Sequence, residues 1–254
     1  MSEWILGRNP VYEALRAGRR QALRLLVAQG AQEKGRLAQV VELGHKQKIP
    51  VEQAPRQRLD ALGAGHQGVA LQAGPYPYAD LQEMLELAAR RNEPPFLLLL
   101  DALQDPQNFG TLLRTAEAVG LHGVVLPLRQ TVTVTPAVVS ASSGASEHML
   151  VAQTNLAQAI ESLKRAGVWV VGLDGGPQSQ PLGRVRLDGA LALVVGSEGD
   201  GMRSLVRDSC DILAGLPMRG RVESLNAAVA GSVALYLAWQ ARGFAGNPAK
   251  TIDD

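Results

Sequence analysis

The chain has 254 residues, 46% of them hydrophobic, enough for a sizeable core in one large domain or two smaller ones. Its single cysteine, Cys210, excludes an internal disulfide and a cysteine-based zinc cluster, and fits a reducing compartment. The net charge of +1 is unevenly spread, with 11 Lys/Arg against 6 Asp/Glu in residues 1–75 and 14 against 18 in the remainder. A basic segment joined to a mildly acidic body points to one part that meets a polyanion. Glu3, Arg8 and Glu13 interrupt the apolar N-terminus, and no apolar run approaches the roughly 20 residues of a membrane span. A soluble cytoplasmic protein with no membrane association is expected.

In chain order, WILG (4–7) reads as a short strand. A helix follows, with Asn9 as N-cap, Pro10 at its first position and Gly18 just past its end. LRLLVA (23–28) is a strand, 33–48 an amphipathic helix, VEQA (51–54) a strand, 56–62 a short helix and GVALQA (68–73) a strand. These make a compact α/β unit over residues 1–75. GPYPY (74–78) punctuates the chain, and 76–94 is a linker whose helix (79–91) ends before Pro94 and Pro95.

A second α/β series fills 95–254. Strands are expected at 96–101, 123–127, 168–174, 191–196 and 212–217. Helices are expected at 108–119, 136–146, 156–167, 204–210 and 224–240. The strands are nearly continuous apolar runs, as in a parallel sheet covered on both faces.

GAGHQG (63–68) has the glycine spacing of a dinucleotide-binding loop, but it precedes a strand instead of following one, so it reads as a flexible turn. The four histidines show no metal-ligand spacing, and no metal is expected. Three glycine-punctuated loops remain, each at the carboxyl end of a predicted strand, where ligands of open α/β sheets gather. The first (101–120) carries Asp105, Asn108 and Arg114, which a bend at Phe109-Gly110 would bring to a common site. The second is GSEGDGM (196–202), with Glu198 among three glycines. In the third, LPMRGRVESLNAA (216–228), Ser224 can cap a helix whose first turn holds Asn226.

Together, in this order and spacing, the three loops closely resemble the motifs of the SpoU family of RNA ribose 2′-O-methyltransferases, a branch of the SPOUT superfamily. The first motif is carried by Asn108, Gly110, Arg114, Thr115, Ala116 and Gly120. The second is carried by Gly196, Ser197, Glu198, Gly199 and Gly201, and the third by Leu216, Pro217, Met218, Ser224, Leu225 and Asn226. WILGRNPVYEAL (4–15) and HQGVAL (66–71) resemble the small L30e-like RNA-binding domain that many members carry.

The resemblance implies a trefoil knot in the catalytic domain, a homodimer, and S-adenosylmethionine as methyl donor. It implies a cofactor site on Gly196, Gly199, Leu216, Met218 and Leu225, and a catalytic set of Arg114 with Asn108, Glu198, Ser224 and Asn226. The substrate it implies is 23S rRNA, at a guanosine of the peptidyl-transferase P-loop. Arg8, Arg19, Arg20 and Arg24 are candidates for phosphate contact in the basic segment. Family members assign Arg114 the role of base. Because a guanidinium stays protonated below a pH of about 12, positioning a phosphate and stabilising a developing alkoxide is the alternative. The same reaction on a tRNA or another rRNA nucleotide, and a non-catalytic ribosome-assembly factor, are the competing readings.

Overall fold

A computed structural model describes residues 2–197, 199, 201–222 and 224–246. The chain divides into two compact units, neither of them one continuous stretch. The first takes the chain up to Tyr78 together with Gln104–Glu117 and Val132–Met149. The second takes Ala79–Leu103, Ala118–Thr131 and the chain from Leu150 on.

The first unit holds a four-stranded sheet in the order β1-β4-β2-β3, with β1 Glu3–Leu6, β2 Ala22–Ala28, β3 Val51–Ala54 and β4 Val69–Ala73. β4 runs antiparallel to both β1 and β2, whereas β2 and β3 are parallel. One side of this sheet packs Leu26, Ala28, Ala54 and Ala70 against Leu59, with Trp4 and Leu6 at the margin.

Helix α1 (Arg8–Ala17) starts earlier than expected, and Gly7 replaces Asn9 at its cap. Gly7 has φ +96°, and a Cβ there would lie 3.3 Å from the Gly65 carbonyl, so the tight entry suits glycine. Pro10 still falls within the first turn, where amide hydrogens have no intrahelical partner. Gly18 ends α1 in the left-handed conformation, as the spacing predicts. Helices α2 (Arg36–Lys46) and α3 (Arg56–Asp60) connect β2 to β3 and β3 to β4. The GAGHQG stretch is indeed a turn ahead of β4: the ring of His66 is buried, its Nδ1 accepting from Gly68 N at 3.0 Å.

Helix α4 (Leu81–Arg91), in the second unit, opens with a reciprocal cap between Asp80 and Glu83. The sheet of that unit has seven parallel strands in the order β7-β6-β5-β10-β8-β11-β9. They are β5 Phe96–Leu100, β6 Gly123–Pro127, β7 Val151–Thr154, β8 Trp169–Leu173, β9 Gln180–Pro181, β10 Leu191–Val195 and β11 Ile212–Gly215. β5, β6 and β10 are buried at every position, which is why they read as unbroken apolar runs. The sequence analysis assigns no strand at β7 or β9, which form the sheet's two edges; β9 has two residues, and β7 ends in the half-buried polar pair Gln153-Thr154.

Helix α7 (Leu156–Arg165), α8 (Ser204–Ser209) and α9 (Ala227–Ala241) complete the second unit. Leu156, Ala159, Ile160 and Leu163 of α7 pack with Leu97, Val125 and Val170 of the sheet. No helix among the described residues is long and apolar enough to cross a membrane.

Candidate active site

Strand β10 delivers the chain into a turn built on glycine. Ser197 and Gly201 exchange backbone hydrogen bonds of 3.0 and 3.2 Å. Gly199 and Gly201 have φ of +88° and +68°, left-handed conformations that disfavour other side chains. A Cβ on Gly196 would lie 2.2 Å from the Gly201 carbonyl carbon, so the turn folds back onto a residue that must be bare. Glu198 lies outside the described residues.

The return from this turn is anchored by Asp101 at the end of β5. Asp101 is fully buried, and its carboxylate accepts from Arg203 N at 2.7 Å and Nε at 2.8 Å, with Nη2 of the paired guanidinium 2.5 Å from Oδ1. The sequence reading missed this clamp. An acidic residue ending an apolar strand was its only signal.

Beside the turn lies a cleft of about 460 Å³, within the range of small-ligand sites. Gly196 and Gly199 line it together with Leu216, Met218, Ser224, Leu225 and Asn226. The structure therefore gathers the whole expected cofactor set, and two of the expected catalytic residues, at the carboxyl edge of β10 and β11. Leu173, Asp174 and Gly215 also contribute and were not anticipated. A Cβ on Gly215 would sit 2.8 Å from the Asp174 carbonyl oxygen, so the wall between β8 and β11 also needs a bare backbone. Asp174 is held by Arg207, whose Nε is 3.2 Å from Oδ2.

Asn226 caps α9 through Oδ1, which accepts from Ala228 N at 2.9 Å and Val229 N at 3.1 Å. That role was expected of Ser224, which instead precedes the cap as an exposed lining residue of the cleft. The correction is geometric: α9 begins at Ala227, three residues after Ser224.

Asn108 and Arg114 belong to the other unit, on helix α5 (Pro106–Ala118). No bend occurs at Phe109-Gly110, because the helix runs on from Pro106 with Asp105 accepting from Gln107 N and Asn108 N. Six residues of regular helix place Asn108 and Arg114 about 120° apart around the axis. Gly110 allows a close crossing: its Cβ would lie 2.4 Å from that of Ala141 in α6 (Pro136–Ala141).

The helix expected over 136–146 is broken. Ser143 (φ +53°) and Gly144 (φ +89°) turn the chain into a 3-10 segment at Ala145–His148. Gly144 abuts α1, where a Cβ would lie 2.7 Å from that of Glu13. The exposed guanidinium of Arg114 reaches Ser143 Oγ at 3.4 Å.

Two of the four arginines expected to meet phosphate are instead held inside the first unit. Arg20 is buried, with Nε 2.9 Å from Glu147 Oε2, Nη2 3.0 Å from Glu147 Oε1 and Nη1 2.8 Å from Glu3. Arg19 donates to Tyr76 Oη, Pro77 O, Glu147 O and Met149 O. Burial raises the Glu147 carboxyl against the opposing pull of Arg20, and pushes Tyr76 up to about 12. Arg8 and Arg24 keep partial exposure. Arg8 Nε bonds Gln67 O at 3.1 Å, and Arg24 bonds Gln72 and lies over Trp4.

Fold and cleft define an α/β protein with its ligand site at the carboxyl edge of a parallel sheet. Residues 95–236 match the model of the SpoU rRNA methylase family, and residues 4–79 match that for RNA 2′-O ribose methyltransferase substrate binding. YacO of Bacillus subtilis, named for the TrmH family of tRNA/rRNA methyltransferases, is 44% identical over 244 residues, covering 94% of this chain and 96% of YacO. A Staphylococcus aureus relative named for the same family is 41% identical over 240 residues, covering 94% and 96%.

Among solved structures, AviRb of Streptomyces viridochromogenes in complex with AdoMet has a TM-score of 0.79 at 23% identity, covering 96% of this chain and 91% of AviRb. An AdoMet-bound rRNA methyltransferase of Sinorhizobium meliloti has a TM-score of 0.76 at 24% identity, covering 94% and 87%. At these identities the two structures establish the fold. The chain belongs to the SpoU family, RNA methyltransferases of SPOUT type, and carries the family's substrate-binding domain at its N-terminus.

Proposed function

We propose that the protein transfers the methyl group of S-adenosylmethionine to the ribose 2′-hydroxyl of a guanosine in 23S rRNA, in the peptidyl-transferase P-loop. The observation that carries this reading is the cleft in which Gly196, Leu216 and Leu225 converge from two separate loops. Bare backbone at Gly196 and Gly215 suits recognition by main-chain groups, and the two leucines suit the face of an adenine. AviRb and the Sinorhizobium enzyme, which share the fold, are described with AdoMet bound. When bound, the sulfonium supplies an electrophilic methyl group.

The 2′-hydroxyl is a poor nucleophile until its proton leaves, which in this reading passes to solvent water. Arg114 acts as a fixed cation beside the ribose and phosphate, stabilising negative charge as it develops on the oxygen. Ser143 Oγ lies within reach of its guanidinium and helps to aim it. Asn108, Glu198, Ser224 and Asn226 complete the catalytic set in this reading. Arg8 and Arg24 contribute phosphate contacts from the N-terminal domain.

Two copies pair through α9, whose Val229, Val233 and Tyr236 are 47%, 40% and 48% exposed on a helix whose only polar side chains are Ser232 and Gln240. In this reading the catalytic domain also carries the trefoil knot that the family resemblance implies, and the insertion of β10 between β5 and β8 is compatible with it. The protein works in the cytoplasm.

A tRNA target is the second reading, favoured by relatives named for both RNAs. Labelled S-adenosylmethionine with unmodified 23S rRNA and tRNA in parallel, followed by mapping of the modified nucleotide, tests both. Label on a P-loop guanosine ribose supports the proposal, and label on tRNA alone moves the substrate. Tight RNA binding with no transfer to either would favour an assembly factor.

A further inference from the structure

A second cleft opens at the carboxyl edge of the parallel sheet, on the side away from β8 and β11. It measures about 420 Å³ and is lined by the segments following β6 and β7 and by the start of α8. Leu128, Leu156 and Leu205 form apolar walls, and Arg129 and Arg203 stand among them. No lining residue is acidic. Arg129 is exposed and makes no hydrogen bond or ion pair among the described residues. Asp101 holds Nε and Nη2 of Arg203, which leaves Nη1 uncommitted among the described residues.

Leu205 and Leu128 are 67% and 66% exposed, matched among the described large hydrophobic residues by Val222 at 66%. Two exposed leucines beside an unpaired arginine are a poor surface for water alone. They offer an apolar face and a cation together, which match the base and the anionic phosphate of a nucleotide. Single-stranded RNA is held in this way, its bases laid on flat or apolar surfaces and its phosphates met by arginine.

We infer that this cleft binds one nucleotide of the substrate RNA, flanking the nucleotide that is methylated. The inference rests on the RNA-methyltransferase reading above. The phosphodiester meets Arg129 and the free edge of Arg203, and the base lies against Leu128 and Leu205. The spacing fits a neighbour on the same strand. β6 is two strands from β10, about 10 Å at ordinary strand separation, so the cleft and the cofactor turn share one edge of one sheet. They also share a segment. Arg203, which lines the cleft, is the residue through which Asp101 anchors the end of the 196–203 turn. A nucleotide seated against Arg203 therefore touches the clamp that supports the cofactor wall.

Two variants test the assignment without touching the proposed catalytic set. Arg129→Ala removes the unpaired cation. Leu205→Asp places a carboxylate in the cleft, on an exposed position in the first turn of α8 where an acid is tolerated. Each is assayed for methyl transfer to whichever of the 23S rRNA and tRNA transcripts the wild-type protein modifies, with S-adenosylmethionine affinity measured separately.

The expected result is a KM for RNA raised roughly tenfold in Arg129→Ala, the scale of one charged hydrogen bond, and further in Leu205→Asp. The slope of log affinity against log salt falls by about one in Arg129→Ala, while cofactor Kd stays unchanged. Arg129→Lys restores most of the loss, since a phosphate contact needs charge more than shape. An active wild type with both variants at wild-type KM and salt slope overturns the cleft as an RNA site, as does an effect confined to cofactor affinity. A wild type that modifies neither RNA removes the reading on which the inference stands, and the inference with it.

Discussion

Asp101 and Arg203 are joined across 102 residues of sequence by two hydrogen bonds, one from the arginine backbone and one from Nε, with Nη2 completing the ion pair. The carboxylate is wholly buried and the guanidinium about half exposed. The pair ties the end of β5 to the exit of the glycine turn after β10. Asp101→Ala leaves Arg203 N without its acceptor and frees the turn. The expected loss is about 2–3 kcal/mol of stability. That corresponds to a fall in Tm of roughly 5–10 °C, read by thermal denaturation. S-adenosylmethionine affinity, measured by calorimetry, falls as well. An unchanged affinity would mean that the turn holds its shape without the clamp.

Arg114 lies on a regular helix with its guanidinium exposed. Arg114→Ala is expected to lower kcat by on the order of 10²–10³-fold while leaving cofactor affinity and Tm close to wild type. Arg114→Lys is expected to recover little, because the ammonium cannot reproduce the planar fork. Single-turnover methyl transfer separates the chemical step from RNA binding. Near-normal turnover in the lysine variant would remove Arg114 from the mechanism.

Cys210 donates its thiol hydrogen to Val206 O at 3.3 Å. Burial, with Asp211 adding to it, pushes the thiol up to about 12. At pH 8 about one thiol in ten thousand is then ionised, against roughly one in four for an ordinary cysteine. Alkylation by iodoacetamide should be slow in the native protein at pH 8 and prompt after unfolding. Native labelling at the rate of free cysteine would contradict the placement.

The exposed face of α9 gives a prediction for assembly. Tyr236→Glu puts a charge beside Val233 and Trp239, the Tyr236 ring being 5.7 Å from that of Trp239. Sedimentation should show the wild type as a dimer and the variant as a monomer at micromolar concentration, with the variant's Tm lower and no longer dependent on protein concentration. A monomeric wild type would end the proposal that α9 is the dimer face.

Much of this architecture was legible because burial writes directly into the sequence. FLLLL, GVVLP and LALVV are buried at every position and could be little else than central strands. The glycine-lined cleft was legible for a different reason. Gly196 and Gly201 sit where a side chain has no room or the backbone is left-handed, and such demands leave glycine as the visible trace. What stayed hidden is partnership. Arg19 and Arg20 look like surface cations in a basic segment, yet their partners are Tyr76, Glu147 and Met149, far along the chain. Asp101 and Asp174 were silent for the same reason, each defined by an arginine distant in sequence. Strand β9, two residues long, was too short to carry a period, and β7 is half polar at the sheet's edge.

The buried ion pair of Arg20 with Glu147 also bears on how the protein can be dissected. A fragment ending near residue 78 would keep Arg20 and Tyr76 but discard Glu147 and the carbonyls of Ser146 and Met149 that Tyr76 Oη donates to. Its surface would expose an arginine pocket shaped for a carboxylate no longer present, and Gly144 would no longer cover Pro10 and Glu13. The RNA-recognition segment is thus not a transplantable module. Swapping it between relatives to exchange RNA targets would require the stretch around residues 142–149 to travel with it.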